Sequence, residues 1–188
     1  KSAALKLMRD LAQPYPHVAE AHWSVAQLAQ QAGDNPLALN AVRQARSLRP
    51  EWDMAASLEA QLLQKNAPQQ ALEVLRRYLS DYPDAREIRM QYARALLEQK
   101  QYQQARAEFQ RLAKDNPDSP DLAFAIALIS LQMNDLQDAE AQFRQALGKG
   151  LAAVGQHVVK HRQFVAPVFE VLGEEKQVTV VLQGLLKV

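Results

Sequence analysis

His157 and His161 stand four residues apart, a spacing that puts two imidazoles on one face of a helix, where they could share a metal ion. A metal site needs a third ligand, and a zinc-protease helix would carry Glu directly after its first His, where Val158 stands. No metal is therefore expected. A glycine-rich phosphate loop, a nucleophile set beside a base and a local pair of acids are all missing from the sequence. The chain has no cysteine, which removes thiolate chemistry and disulfides and leaves the compartment open. No catalytic residue and no cofactor is expected, and the chemistry to look for is that of binding. Arg94 lies among apolar residues, where it could meet a ligand carboxylate or pair with Glu98 four residues on.

Composition narrows the partners. With 22 basic and 21 acidic residues the net charge is +1, so the chain has no field for gripping a nucleic-acid backbone. Hydrophobic residues make up 48% and aromatics only 6%, which leaves alanine and leucine to build the core and favours closely packed helices over a sheet. No apolar run approaches the roughly 20 residues that span a bilayer, so direct membrane insertion is not expected. The chain does not begin with Met and reads as an excised or processed segment.

The elements that must carry any binding surface repeat. Ala4, Ala38, Ala71, Ala105 and Ala139 are spaced by 34, 33, 34 and 34 residues, and Pro16, Pro50, Pro83 and Pro117 keep the same rhythm. A period of that length marks stacked supersecondary units, here pairs of amphipathic helices. Four units are expected at 19–50, 52–83, 86–117 and 120–151, after a half unit at 2–16 whose partner helix is missing. Further units are expected ahead of Lys1 in a parent protein.

Within a unit, a turn residue separates the helices: Gly33, Asn66, Lys100 and Asn134 in succession. Gly33 suits a left-handed helix end, and Lys100 is a departure from it. Asn35-Pro36 and Ser119-Pro120 supply caps and first-turn prolines. Glu59 falls where Ala26, Ala93 and Ala127 sit, a place kept small because two helices cross there. A carboxylate would be costly to desolvate in that place, so a rotation bringing Ala60 into the crossing is expected instead. After Leu147 the pattern stops. Residues 148–188 contain Gly148, Gly150, Gly155, Gly173 and Gly184 and are rich in Val, and 152–188 is expected to form an atypical, irregular helical cap, or an element that folds differently in the parent.

These recurrences resemble tetratricopeptide repeat proteins, whose 34-residue unit favours a small residue in the first helix, then Gly, Ala, an aromatic, Ala and Pro. The central unit shows Tyr92-Ala93, Ala105, Phe109, Leu112 and Pro117 in that order. The resemblance implies an all-α, right-handed superhelical solenoid of antiparallel helix pairs whose first helices line a concave groove. It implies groove places at Glu20, Trp23, Gln27 and Gln30, then Asp53, Ala56, Ala60 and Leu63. They continue as Glu87, Met90, Arg94 and Leu97, then Asp121, Phe124, Leu128 and Leu131. The lysines and asparagines of the family's carboxylate clamp are absent.

Trp23, Met90, Leu97, Phe124, Leu128 and Leu131 form an apolar strip with two readings: anchors for a ligand, with Trp23 foremost, or core buried by curvature or by the tail. Glu20, Asp53, Glu87 and Asp121 recur in the opening turns, where they favour the helix dipole and could also steer a charged ligand. The expected function is a non-enzymatic scaffold or adaptor that binds a peptide or helical segment of a partner protein. The alternative is a spacer or self-association module stacking through its end helices. Bacterial arrays of this style are often envelope lipoproteins, so a periplasmic or outer-membrane-associated place is one expectation and the cytoplasm the other.

Overall fold

The computed structural model describes residues 14–148, with the side chains followed as far as Ala146. The half unit at 2–16 therefore lies almost wholly outside the described residues, as do the 152–188 segment, His157 and His161. Among the described residues there are eight helices and no strand. They are α1 (Ala19–Ala32), α2 (Asn35–Leu48), α3 (Asp53–Gln64), α4 (Pro68–Asp81), α5 (Arg86–Glu98), α6 (Tyr102–Asp115), α7 (Pro120–Gln132) and α8 (Leu136–Gly148). The chain divides into two compact units, residues 1–91 and 92–188, with the division falling inside α5. In the first unit α1 pairs with α2 and α3 with α4, and α3 also stacks on α2. In the second, α7 pairs with α8 and stacks on α6.

Alanine sets how closely these helices approach. Ala26, Ala60, Ala93 and Ala127 in the first helices are fully buried, as are Ala38, Ala71 and Ala105 in the second helices, with Ala139 almost so. A methyl group is the largest side chain that closely packed interiors accept at such a crossing. Larger residues fill the space beside it. Val25, Val42 and Leu58 form one cluster in the first unit, with Trp23, Leu37 and Trp52 against it.

The ends of the helices follow from local chemistry. Arg49, Tyr82 and Asn116 each precede a proline and leave the helix with φ of −142°, −128° and −140°. The proline ring clashes with a helical conformation at the residue before it, so the second helix of each of these pairs stops at the same place. Within the pairs, Gly33, Lys100 and Asn134 take φ of +84°, +58° and +59°. At all three the next residue's N–H bonds a carbonyl five residues back: Asp34 to Ala29, Gln101 to Leu96 and Asp135 to Ser130, at 2.8–2.9 Å. That is the left-handed helix end that glycine adopts without strain. The cap of α2 lies one residue earlier than the sequence suggested: Asp34, not Asn35, accepts the N–H of Leu37 at 3.1 Å, and Pro36 remains in the first turn. Ser119 caps α7 as its sequence implied, accepting from Leu122 at 3.4 Å.

The second pair closes differently, and this places the single 33-residue interval. The N–H of Ala67 bonds the carbonyl of Leu63, four residues back rather than five, at 2.8 Å. One residue is missing from this turn, so α3 keeps the 34-residue register with α1, and Ala60 occupies the crossing. Glu59 then stands at the place of Val25, equally buried. Its carboxylate is held by Arg43 Nε at 2.9 Å and by Arg46, both on α2. Two guanidinium partners offset the desolvation that a lone carboxylate would suffer there.

In the second unit, Ser130 is fully buried and donates to Asp138 Oδ2 at 2.5 Å. Arg106 reaches Asp135 at 2.8 Å, and that guanidinium, followed by the Asp138 N–H, holds the Asp135 carboxyl below its ordinary value.

Two stability changes follow. Glu59→Ala should lower unfolding free energy by about 2–3 kcal/mol, below the range for a wholly buried pair because Arg43 is half exposed. Urea denaturation checks it, and a loss under about 0.5 kcal/mol would contradict the buried-pair account. Lys100→Gly should raise stability by about 0.5–1 kcal/mol, since glycine relieves the left-handed strain but gains entropy when unfolded.

Candidate functional site

Expected groove residues of the first two repeats meet where α1, α3 and the first turn of α5 lie side by side within the first unit. They enclose an open cleft of about 350 Å³. Leu58 and Ile88, both buried, form its floor. Trp23 and the exposed Met54 supply apolar walls, while Gln27, Gln30, Ser57 and Gln61 supply amides and a hydroxyl. Asp53 and Glu87 stand at its lip, exposed. Helical periodicity gathers these residues: Trp23, Gln27 and Gln30 share one face of α1, and Ser57 and Gln61 repeat that face on α3, each 34 residues on from Trp23 and Gln27.

Sequence reasoning had placed the second-repeat groove at Asp53, Ala56, Ala60 and Leu63, one residue out of register. Ala56, Ala60 and Leu63 are buried, and Met54, Ser57 and Gln61 line the cleft in their stead. The slip arose from putting the missing residue before α3, whereas the shortened turn follows it. A check on helical periodicity against Leu58 would have exposed the slip, because Leu58 and Ala60 cannot face inward if Ala56 and Leu63 line a groove.

Trp23 is held from behind by a contact the sequence did not reveal. Its ring lies 5.1 Å from that of Trp52, tilted by 38°, and Arg49 sits 4.8 Å above the Trp52 ring. Arg49 also pairs with Glu20 at 2.9 Å and with Glu51 at 3.5 Å. Glu20 is thus engaged by a residue of the α2–α3 connection as well as by its helix N-terminus. Tyr78 fixes the same connection from α4, donating its hydroxyl to the Glu51 carbonyl at 2.6 Å, and burial raises its pKa. The indole of Trp23 thus packs on the Trp52 ring, which itself lies beneath the Arg49 guanidinium.

The remaining expected site residues are placed as follows. Met90, in the first unit, is half-buried, as are Arg94 and Leu131 in the second; burial lowers the Arg94 pKa. Leu97, Phe124 and Leu128 are almost wholly buried. Phe124 meets Phe143 of α8 edge to face at 5.5 Å, so its ring serves the α7–α8 core. These three present little surface in this structure. The reason is that α7 is buried almost all round, Leu122–Phe124 and Ile126–Ser130 included, as a helix apolar on nearly every face must be.

Among the described residues no cluster of His, Asp or Glu could hold a metal ion. No described helix is long and apolar enough to cross a membrane.

An array of antiparallel helix pairs, stacked at a 34-residue period with alanine at each crossing, defines the helical-repeat solenoids. Sequence profiles of the tetratricopeptide repeat match residues 24–86, 62–129 and 96–150, and the chain belongs to that family. Among solved structures it is similar to MamA, with 13% identity, a TM-score of 0.67, and 81% of this chain and 90% of that one covered. It is likewise similar to MamA 41-end from Desulfovibrio magneticus RS-1, at 17% identity, a TM-score of 0.64 and coverages of 80% and 86%. YrrB, described as a TPR protein with an unusual peptide-binding site, shares 16% identity at a TM-score of 0.65, with 85% and 83% covered. At such identities the likeness is one of fold. Among curated proteins none matches the sequence.

Trp52→Ala should cost about 2–3 kcal/mol, the low end for a large aromatic because the ring is only part-buried. It should also change the near-ultraviolet circular dichroism by more than one indole's share, since Trp23 loses its neighbour. A spectrum reduced only by a single indole would count against a fixed pair.

Proposed function

We propose that this chain is a non-enzymatic protein-interaction scaffold that holds a segment of a partner protein in the cleft formed by α1, α3 and the start of α5. The observation that carries this reading is the cleft's lining. A rigidly supported tryptophan and a methionine stand over a floor of Leu58 and Ile88, with amide and hydroxyl groups within reach. An aromatic anchor in a partly desolvated pocket with polar groups around it is what concentrates binding energy at protein interfaces. Tetratricopeptide repeats serve as protein-binding scaffolds generally, and the described peptide-binding site of YrrB, on a similar fold, supports placing a peptide on this one. In this reading Trp23 is the principal anchor, and Gln27, Gln30, Ser57 and Gln61 fix the ligand's register. Met90, in the same unit, extends the contact where a ligand runs further along α5.

Affinity capture with the intact chain tests this reading against two variants, Trp23→Ala and Ser57→Arg, both checked for helicity by circular dichroism. A protein retained by the natural sequence should be lost about tenfold or more in each variant, the size expected for a hot-spot residue. Equal capture by both folded variants would exclude the cleft as the binding site.

A further inference from the structure

The lining of this cleft is more particular than a general protein-binding face requires. The cleft, at about 350 Å³, is open along one side and takes a few side chains of a segment laid across it. Gln27 and Gln30 are exposed and make no side-chain hydrogen bond among the described residues. An amide both donates and accepts. Such groups match main-chain N–H and C=O, which an extended segment leaves open and a helix satisfies internally.

Charge narrows the occupant further. Among the described residues no lysine or arginine lines the cleft. Asp53 and Glu87 at the lip form no ion pair among the described residues. The arginines at the C-terminal end of α2 are already engaged, Arg43 and Arg46 by Glu59, and Arg49 by Glu20 and Glu51. Two exposed, unpaired carboxylates beside an aromatic wall complement a cation carried next to an apolar group.

Building on the cleft reading above, we propose that the occupant is an extended peptide segment of a partner that sets an arginine or lysine against Asp53 and Glu87 and an apolar side chain beside Trp23 and Met54. The basic residue fixes direction, the apolar one supplies most of the affinity, and the glutamines hold the backbone between them.

The test uses random hexapeptides on beads, acetylated and amidated so that neither terminus is charged, exposed to the full 188-residue chain. Sequences retained should be enriched in Arg or Lys close to an aromatic or aliphatic residue. A peptide chosen from that set should bind about fivefold more weakly to the double variant Asp53→Asn, Glu87→Gln. Its binding should also weaken as salt is raised, because exposed charges are screened. Retention that depends on Trp23 but favours neutral or acidic sequences would overturn the basic-segment proposal and leave the cleft reading standing. Retention of no hexapeptide would overturn it too, with the cleft reading then judged by the capture of whole proteins. Retention unaffected by Trp23→Ala would overturn both.

Discussion

Every feature of this chain depends on how closely two helices can pass. The crossing within each helix pair is built on alanine, and the alanines are buried without remainder. Close packing leaves no room there for a branched side chain, and a change of one methylene is felt in such an interior. Because the crossing recurs, the sequence must return to a small residue at fixed intervals in both helices. The period of the chain is the imprint of that steric demand. Proline adds punctuation: by excluding the helical conformation from Arg49, Tyr82 and Asn116, it ends three helices at equivalent places.

The second repeat shows how the demand is met when the spacing changes. One residue is lost, and the loss is absorbed in the turn, where a hydrogen bond to the fourth residue replaces one to the fifth. The alternative, a shift of α3 by one residue, would rotate it by about 100° and take Ala60 out of the crossing. Turns are exposed and adapt at small cost, whereas a crossing does not. The retained register has a consequence for Glu59, which then falls on a buried place otherwise held by Val25. Arg43 and Arg46 satisfy it from the facing helix. An ion pair of this kind adds little net stability over apolar packing, yet losing one member is expensive.

The same register builds the cleft. With α3 in step with α1, Ser57 and Gln61 come beside Trp23 and Gln27, and the first turn of α5 completes the lining. The Trp23–Trp52 contact, topped by Arg49, ties the wall of the cleft to the connection between two repeats. Packing between the repeats and the wall of the cleft thus use the same residues at this point. The second unit is built otherwise: α7 is apolar nearly all round, and Phe124 and Leu128, its equivalents of Trp23 and Gln27, are core. Equivalent positions in a repeat array do not have equivalent exposure, because what covers each one differs.

The sequence by itself determined the helical-repeat architecture, the turn residues and the protein-binding family. These are local or periodic properties, written in the spacing of Ala, Pro and Gly and enforced by sterics within one or two helical turns. It also exposed the awkwardness of Glu59 and of Lys100, since each breaks a pattern that its neighbours keep. Tertiary structure alone decided which strip residues remain accessible, where the missing residue falls, and that Trp52 and Arg49 stand behind Trp23. It alone showed the two arginines that shelter Glu59. Those outcomes depend on contacts between residues 13 to 34 positions apart or more, across helices whose relative rotation a one-residue ambiguity changes by about 100°. Periodicity sets the face a residue shares with its helix neighbours, whereas only packing sets what that face meets.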